Sequence, residues 1–102
     1  MTANIRPKFY QDVSEGVTYL AEKAGSEIAL AWAEAVWATV QELLTNPWLG
    51  RERKDIPFPA VRSWRVNEFQ RWIIFYGERP LDLVFYRIRH GAMNLIRLDF
   101  NS

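Results

Sequence analysis

The first half of the chain has apolar residues at helical spacing. Between Pro7 and Gly25 they recur every three or four positions, which predicts an amphipathic helix. Residues 27–45 contain neither Gly nor Pro and carry a longer apolar stripe, which predicts a second helix. Gly25 is placed to end the first helix and Ser26 to cap the second. A connection this short predicts an antiparallel helical hairpin.

The second half has strand-like runs instead. Residues 61–66, 71–76 and 83–90 are rich in β-branched, aromatic and aliphatic side chains. Turn-type residues at 67–70 and 77–80 separate them, which predicts consecutive antiparallel strands. Residues 5 and 6 mark the end of another short strand, and residues 47–59 hold three prolines and a glycine, which predicts a loop. We therefore expect an α+β fold in one domain, residues 1–102, with an N-terminal helical hairpin packed on a three- to four-stranded antiparallel sheet.

Two residues of the hairpin raise questions about packing. Gly16 interrupts the first helix at a cost of roughly 0.5–1 kcal/mol relative to Ala, and we expect it to let the neighbouring helix approach closely. Trp32 lies off the apolar stripe of the second helix. Two interpretations are open: Trp32 packs against the first helix, which we favour, or it faces a partner.

The charges divide unevenly along the chain. Residues 1–46 hold three basic and six acidic side chains, whereas residues 47–102 hold ten basic and six acidic ones, and nine of those ten are arginine. Arginine favours planar, bidentate or stacking contacts with phosphate, carboxylate or bases. A strand presents alternate side chains to opposite faces, so one face of the sheet can pack the core while the other presents arginine. Such a face is either a solvated surface with internal ion pairs or a binding surface.

Several classes of function find no support in the sequence. The chain has no cysteine and one histidine, and its carboxylates lack ligand spacing, so we expect no disulfide, metal or cofactor. It has no glycine-rich phosphate loop and no nucleophile motif around Ser63. It also has no signal-peptide pattern, and no apolar run approaches the ~20 residues of a membrane helix. We expect a cytoplasmic protein.

One chemistry remains compatible with the basic half. Metal-independent RNA cleavage needs a base, cationic groups that stabilise the phosphorane charge, and an acid. Arg65, Arg71, Arg87 and His90 could supply these roles, although a histidine at a strand end is more often a structural hydrogen-bonding group.

An ordered series of segments resembles the RelE/ParE toxin superfamily of type II toxin–antitoxin systems, whose members are often described as plasmid-stabilisation proteins. No single segment is specific, but the series spans nearly the whole chain and agrees with the expected fold. The segments are Pro7 with Asp12-Val13, Tyr19-Leu20, Leu43-Leu44 with Asn46-Pro47 and Gly50-Arg51, Val61-Arg62 with Arg65-Val66, Ile73-Ile74-Phe75-Tyr76, and Ile88 with His90-Gly91.

The resemblance implies one of two activities. RelE-like members cleave mRNA on the ribosome, and ParE-like members inhibit DNA gyrase. The His90-Gly91 segment resembles the ParE pattern, although Met93 and Asn94 replace its usual arginine and aspartate. The chain has Arg97 but no tyrosine or histidine after His90, so only half of the residues that RelE-like nucleases use are present. The resemblance therefore favours a ParE-like toxin that is not an enzyme.

The resemblance also implies partners and contact residues. It implies a cognate antitoxin, contact with DNA only through that antitoxin, and DNA gyrase as target. The alternatives are ribosome-bound mRNA as target, or an inactive relative that only binds antitoxin. The candidate contact residues for target or antitoxin are Arg62, Arg65, Arg71, Arg87, Arg89, His90 and Trp32.

Overall fold

A computed structural model describes residues 2–91 and 98–100. A strand comes first, β1 (Thr2–Ile5), followed by the helices α1 (Pro7–Ala24) and α2 (Ser26–Thr45). A single 3₁₀ turn, Pro47–Leu49, leads into β2 (Arg51–Glu52), and the chain continues through β3 (Val61–Val66), β4 (Phe69–Glu78) and β5 (Asp82–His90). The expected α+β architecture is confirmed.

The described strands form one sheet in the order β1-β5-β4-β3-β2. β1 runs parallel to β5, and the other neighbours are antiparallel. The sheet has five strands rather than three or four, because two residues of the predicted loop, Arg51 and Glu52, pair with Ser63 and Arg62. Prolines on either side keep this edge strand short.

Several expected boundaries were wrong: β4 extends to Glu78 rather than residue 76, and β5 begins at Asp82 rather than residue 83. β4 begins at Phe69 and not at residue 71, so only Asn67 and Glu68 form the turn, and Glu68 takes a positive φ of 68°. Ser26 does not cap α2. It is the first residue of that helix, Gly25 occupies the N-cap position with a φ of 99°, and no side chain caps either helix at its N-terminus.

The core lies on both faces of the sheet. On the helix side, Phe9 and Val36 pack with Ile74 and Phe85. On the opposite face, Phe75 joins a second cluster that is covered by the loop after β2 and by Phe100. The central strand β4 is therefore covered from both sides, as its apolar run predicts. Leu98 and Phe100 of the C-terminal tail pack into this second cluster, and residues 92–97 lie outside the described part of the chain.

A buried carboxylate joins α1 to β5. Asp12 accepts hydrogen bonds from Arg87 Nε at 2.8 Å and Nη2 at 3.0 Å, and from the backbone N–H of Ile88 at 3.0 Å. β1 pairs with β5 only as far as Phe85, so Asp12 supplies the acceptor that Ile88 would otherwise lack. This contact fixes α1 against the edge of the sheet.

Gly16 has the packing role that we expected. A Cβ atom at this position would lie 2.3 Å from the ring of Trp32, which is fully buried. Glycine is therefore required for α1 and α2 to approach each other. Within the described residues, no helix is long and apolar enough to cross a membrane.

Candidate functional site: an arginine groove

The predicted arginine face divides into arginines that are bound internally and arginines that are not. Arg87 is only 6 % exposed, forms the bidentate ion pair with Asp12, and donates to the carbonyl oxygen of Asp99 at 2.9 Å. The interpretation of Arg87 as a contact or catalytic residue is therefore corrected: its guanidinium is a buried structural group. Arg89 also pairs with Asp12, at 3.5 Å, and is half-buried.

Arg62 and Arg53 are bound internally as well. Arg62 donates to the Gly50 carbonyl oxygen at 2.7 Å and pairs with Glu52 and Glu78, so this predicted contact residue tethers the loop after α2. Arg53 donates to both carboxylate oxygens of Asp55 and, through Nη1, to the Ser63 hydroxyl. The Arg53 guanidinium lowers the pKa of Asp55 to about 2.

Trp32 does not lie at the surface. Its side chain is fully buried against Gly16, and its ring centroid is 4.9 Å from that of Trp72. The favoured interpretation of Trp32 as a packing residue is confirmed. Its place among the contact candidates is corrected, because a fully buried ring cannot touch a partner.

Three exposed arginines of the strands β2, β3 and β4 have no partner among the described residues, and they share one surface. Arg51, Arg65 and Arg71 are exposed and form no ion pair or side-chain hydrogen bond with any described residue. They surround two adjoining depressions of about 410 and 400 Å³, which share Arg65, Gln70 and Ile73 as walls. We call this surface the arginine groove.

The composition of the arginine groove is suited to an anionic ligand. Neither depression is lined by a described aspartate or glutamate. Besides the arginines, the walls carry the Ser63 hydroxyl, the amides of Asn67 and Gln70, and the apolar side chain of Ile73. Paired guanidinium groups beside these polar and apolar side chains are suited to bind phosphates or carboxylates.

His90 lies at one end of the groove. It lines the second depression together with Arg65 and Arg71, and its ring meets Trp72 edge-on at 5.5 Å and 88°. The structure therefore brings together Arg65, Arg71 and His90 of the predicted set. It places Arg87 elsewhere, and Met93, Asn94 and Arg97 lie outside the described residues.

Local contacts define two borders of the groove. Leu98 and Phe100 cover the neighbouring part of the same sheet face, where Phe75 and Tyr86 lie. At the other edge, the buried Tyr76 hydroxyl donates to the Pro47 carbonyl at 2.7 Å and accepts from the Gly50 N–H at 2.7 Å. These two hydrogen bonds fix the start of β2 and with it the position of Arg51.

Arg51 and Gln70 are groove residues that the sequence pattern did not indicate. Arg51 fell within the predicted loop of residues 47–59, because the pairing with Ser63 that carries it to the sheet is not visible in the local pattern. Gln70 looked like a turn residue, but it belongs to β4. Within the described ranges, no three histidine, aspartate or glutamate side chains cluster as metal ligands would.

Comparisons with known proteins agree with this architecture. A family model described as the ParE toxin of the type II toxin–antitoxin system parDE matches residues 4–95. A solved structure titled "Chromosomal ParDE TA system from P. aeruginosa" superposes with a TM-score of 0.75 at 18% sequence identity, covering 88% of this chain and 95% of that one. At this identity the likeness concerns the fold alone. A search of the curated proteins found no significant match.

Proposed function

This chain belongs to the ParE toxin family of type II toxin–antitoxin systems, and from that premise we propose that it inhibits DNA gyrase by direct binding and is neutralised by a cognate antitoxin. The observation that carries the proposal is the arginine groove. Arg51, Arg65 and Arg71 are concentrated on one surface and have no partner among the described residues, whereas the other sheet arginines described above are bound within the fold. Unsatisfied guanidinium groups that converge in this way favour a binding role.

The proposal assigns binding rather than chemistry to the groove. Arg87, one of the four residues that a nuclease mechanism would draw on, is committed to Asp12 and cannot contact a substrate without breaking a buried ion pair. Gyrase acts in the cytoplasm, so the proposal places the toxin there too. Binding needs no cofactor.

A supercoiling assay tests the proposal. Purified protein is expected to inhibit gyrase-catalysed supercoiling of a relaxed plasmid, and co-purified antitoxin is expected to relieve the inhibition. Topoisomerase I serves as a control enzyme that acts on the same DNA, so that non-specific coating of DNA is recognised by inhibition of both enzymes. Full gyrase activity at a large molar excess of the toxin would contradict the proposal.

One observation favours a second candidate, a ribosome-dependent mRNA endonuclease. Arg65, Arg71 and His90 line the same depression, so two cationic groups and one group able to transfer a proton lie together on the sheet. If this candidate holds, induced expression stops translation before replication and mRNA is cut within ribosome-bound codons.

A double variant with mRNA cleavage as its deciding readout separates the two candidates, because Arg71 also belongs to the groove proposed to bind gyrase. For a nuclease, Arg71→Ala with His90→Ala is expected to abolish both toxicity and mRNA cleavage. Unchanged toxicity in that variant, with intact mRNA, rules the nuclease out. A wild-type protein that causes no growth arrest without antitoxin is instead the inactive, antitoxin-binding relative.

A further inference from the structure

A second cavity lies between α1 and the end of the sheet. It has a volume of about 350 Å³, and its aromatic walls are Tyr19, Trp72 and His90. We call it the aromatic pocket. Its volume lies at the lower end of the range for sites that take small ligands or single anchor side chains.

The aromatic pocket is rigidly built. Trp72 packs on Trp32 at 4.9 Å between ring centroids, and Trp32 in turn fills the space above Gly16. Tyr19 meets Trp72 edge-on at 6.5 Å and remains 51 % exposed. A half-exposed aromatic side chain beside a fixed ring is typical of a preformed anchor site.

The aromatic pocket and the arginine groove adjoin at His90. His90 lines both of them, so a ligand that passes over His90 leaves an apolar environment and enters a cationic one. Arg89 also lines the aromatic pocket, and its buried Nε has no hydrogen-bond acceptor among the described residues. A small rotation of this guanidinium would let a carbonyl or carboxylate oxygen of a ligand supply that acceptor.

We infer that the aromatic pocket anchors one large apolar side chain of a peptide segment whose neighbouring acidic residues lie in the arginine groove. The proposed function enters only in naming the source of the segment, which is the antitoxin. The aromatic pocket accounts for the apolar anchor, and Arg65 and Arg71, which have no partner among the residues that the structure describes, account for the acidic neighbours.

The charges around the aromatic pocket favour a peptide over a nucleic acid. Glu15 lines this pocket, and a phosphate backbone that extended past His90 would meet its exposed carboxylate. A peptide avoids that repulsion, because it can place an uncharged side chain in the pocket and keep its charges in the groove.

Matched tyrosine variants test the inference. The probes are two short fluorescent peptides of aspartate and glutamate, one with a single phenylalanine and the other with alanine in its place. Each peptide is made in two versions, one with the acidic residues before that position and one with them after it. Tyr19→Ala removes a wall of the pocket. Tyr10→Ala removes a similarly exposed tyrosine (54 %) from the same helix, away from the pocket.

By fluorescence anisotropy, the phenylalanine peptide is expected to bind the wild-type protein about tenfold more tightly than the alanine peptide. Tyr19→Ala should remove most of that difference and Tyr10→Ala none of it, while Arg65→Ala with Arg71→Ala should weaken both peptides. Equal affinity of the two peptides, or equal loss in the two tyrosine variants, would overturn the inference.

The remaining possible occupant is a nucleic acid, which is tested with a single-stranded RNA of the same net charge as the peptides. If the RNA displaces the phenylalanine peptide and loses affinity in Tyr19→Ala, the occupant is a nucleic acid and the inference is wrong. These measurements contain no gyrase, so a failed pocket and a failed gyrase proposal are distinguishable.

Discussion

At the scale of single residues, the nearest hydrogen-bond acceptor determines whether an arginine is bound within the fold. Arg87 finds Asp12 and Arg62 finds Gly50 and two glutamates, but Arg65 and Arg71 find no described acceptor. In the sequence, all four are simply arginines within predicted strands. The partners of Arg87 could not be predicted, because Asp12 lies 75 positions away along the chain.

Tyr76 is a second residue whose role depends on distant contacts. Its buried hydroxyl bridges Pro47 and Gly50, and burial raises its pKa above the ordinary value of 10.0. Gly50 must be glycine at this contact, since a Cβ there would lie 2.2 Å from the tyrosine oxygen. The sequence predicts Tyr76 as a core strand residue but carries no local sign of this bridge.

We predict that Tyr76→Phe lowers the free energy of unfolding by about 1–3 kcal/mol at neutral pH, because it leaves a buried N–H and C=O unpaired. The loss should shrink as the pH rises above 10. As the pH rises, the unfolded chain loses the Tyr76 proton at a lower pH than the folded chain does. The free energy of unfolding of the wild-type protein therefore falls, whereas the variant has no titrating group at residue 76 and does not show this fall.

Urea unfolding at a series of pH values measures this difference, and Tyr10→Phe, at an exposed position, is the control. A Tyr76→Phe protein within about 0.5 kcal/mol of wild type at neutral pH would refute the prediction, since that is the range of ordinary surface substitutions.

At the scale of elements, periodicity predicted the helices and the main strands because apolar spacing encodes which side of each element is buried. It could not predict β2, where two charged residues form a strand only through pairing with β3. It also could not fix the turn at Asn67 and Glu68, because the tight turn depends on a positive φ at a non-glycine residue. β2 carries Arg51, and the turn lies beside Gln70. Because neither element could be predicted from periodicity, these two residues of the candidate site could not be predicted either.

We predict that Gly16→Ala destabilises the helical hairpin although alanine is the better helix former. Helix propensity alone would add roughly 0.5–1 kcal/mol of stability. The new Cβ would lie 2.3 Å from the Trp32 ring, and relief of that overlap should cost about 1–3 kcal/mol.

Thermal and urea unfolding give the net change, with the exposed Ser14→Ala on the same helix as a control. Trp32→Phe should partly rescue Gly16→Ala, because a smaller ring makes room for the methyl group. A more stable Gly16→Ala protein would show that the two helices are not in close contact here.

At the scale of the whole molecule, an acidic helical half covers one face of the sheet and a basic strand half presents the arginine groove on the other. The charge asymmetry in the sequence already indicated a basic surface. It did not separate the three strand arginines without a described partner from the internally bound ones, and it did not reveal that the groove and the aromatic pocket adjoin at His90.

The most direct test of the account is gyrase inhibition by a groove variant. Arg65→Ala with Arg71→Ala should fold normally, because neither side chain has a described internal partner, and should raise the inhibitory concentration about tenfold or more. The charge-matched control, Lys23→Ala with Arg79→Ala, removes two exposed cations outside the groove and should inhibit like wild type. A folded groove variant that inhibits supercoiling as strongly as wild type and the control would contradict the claim that the arginine groove binds the target.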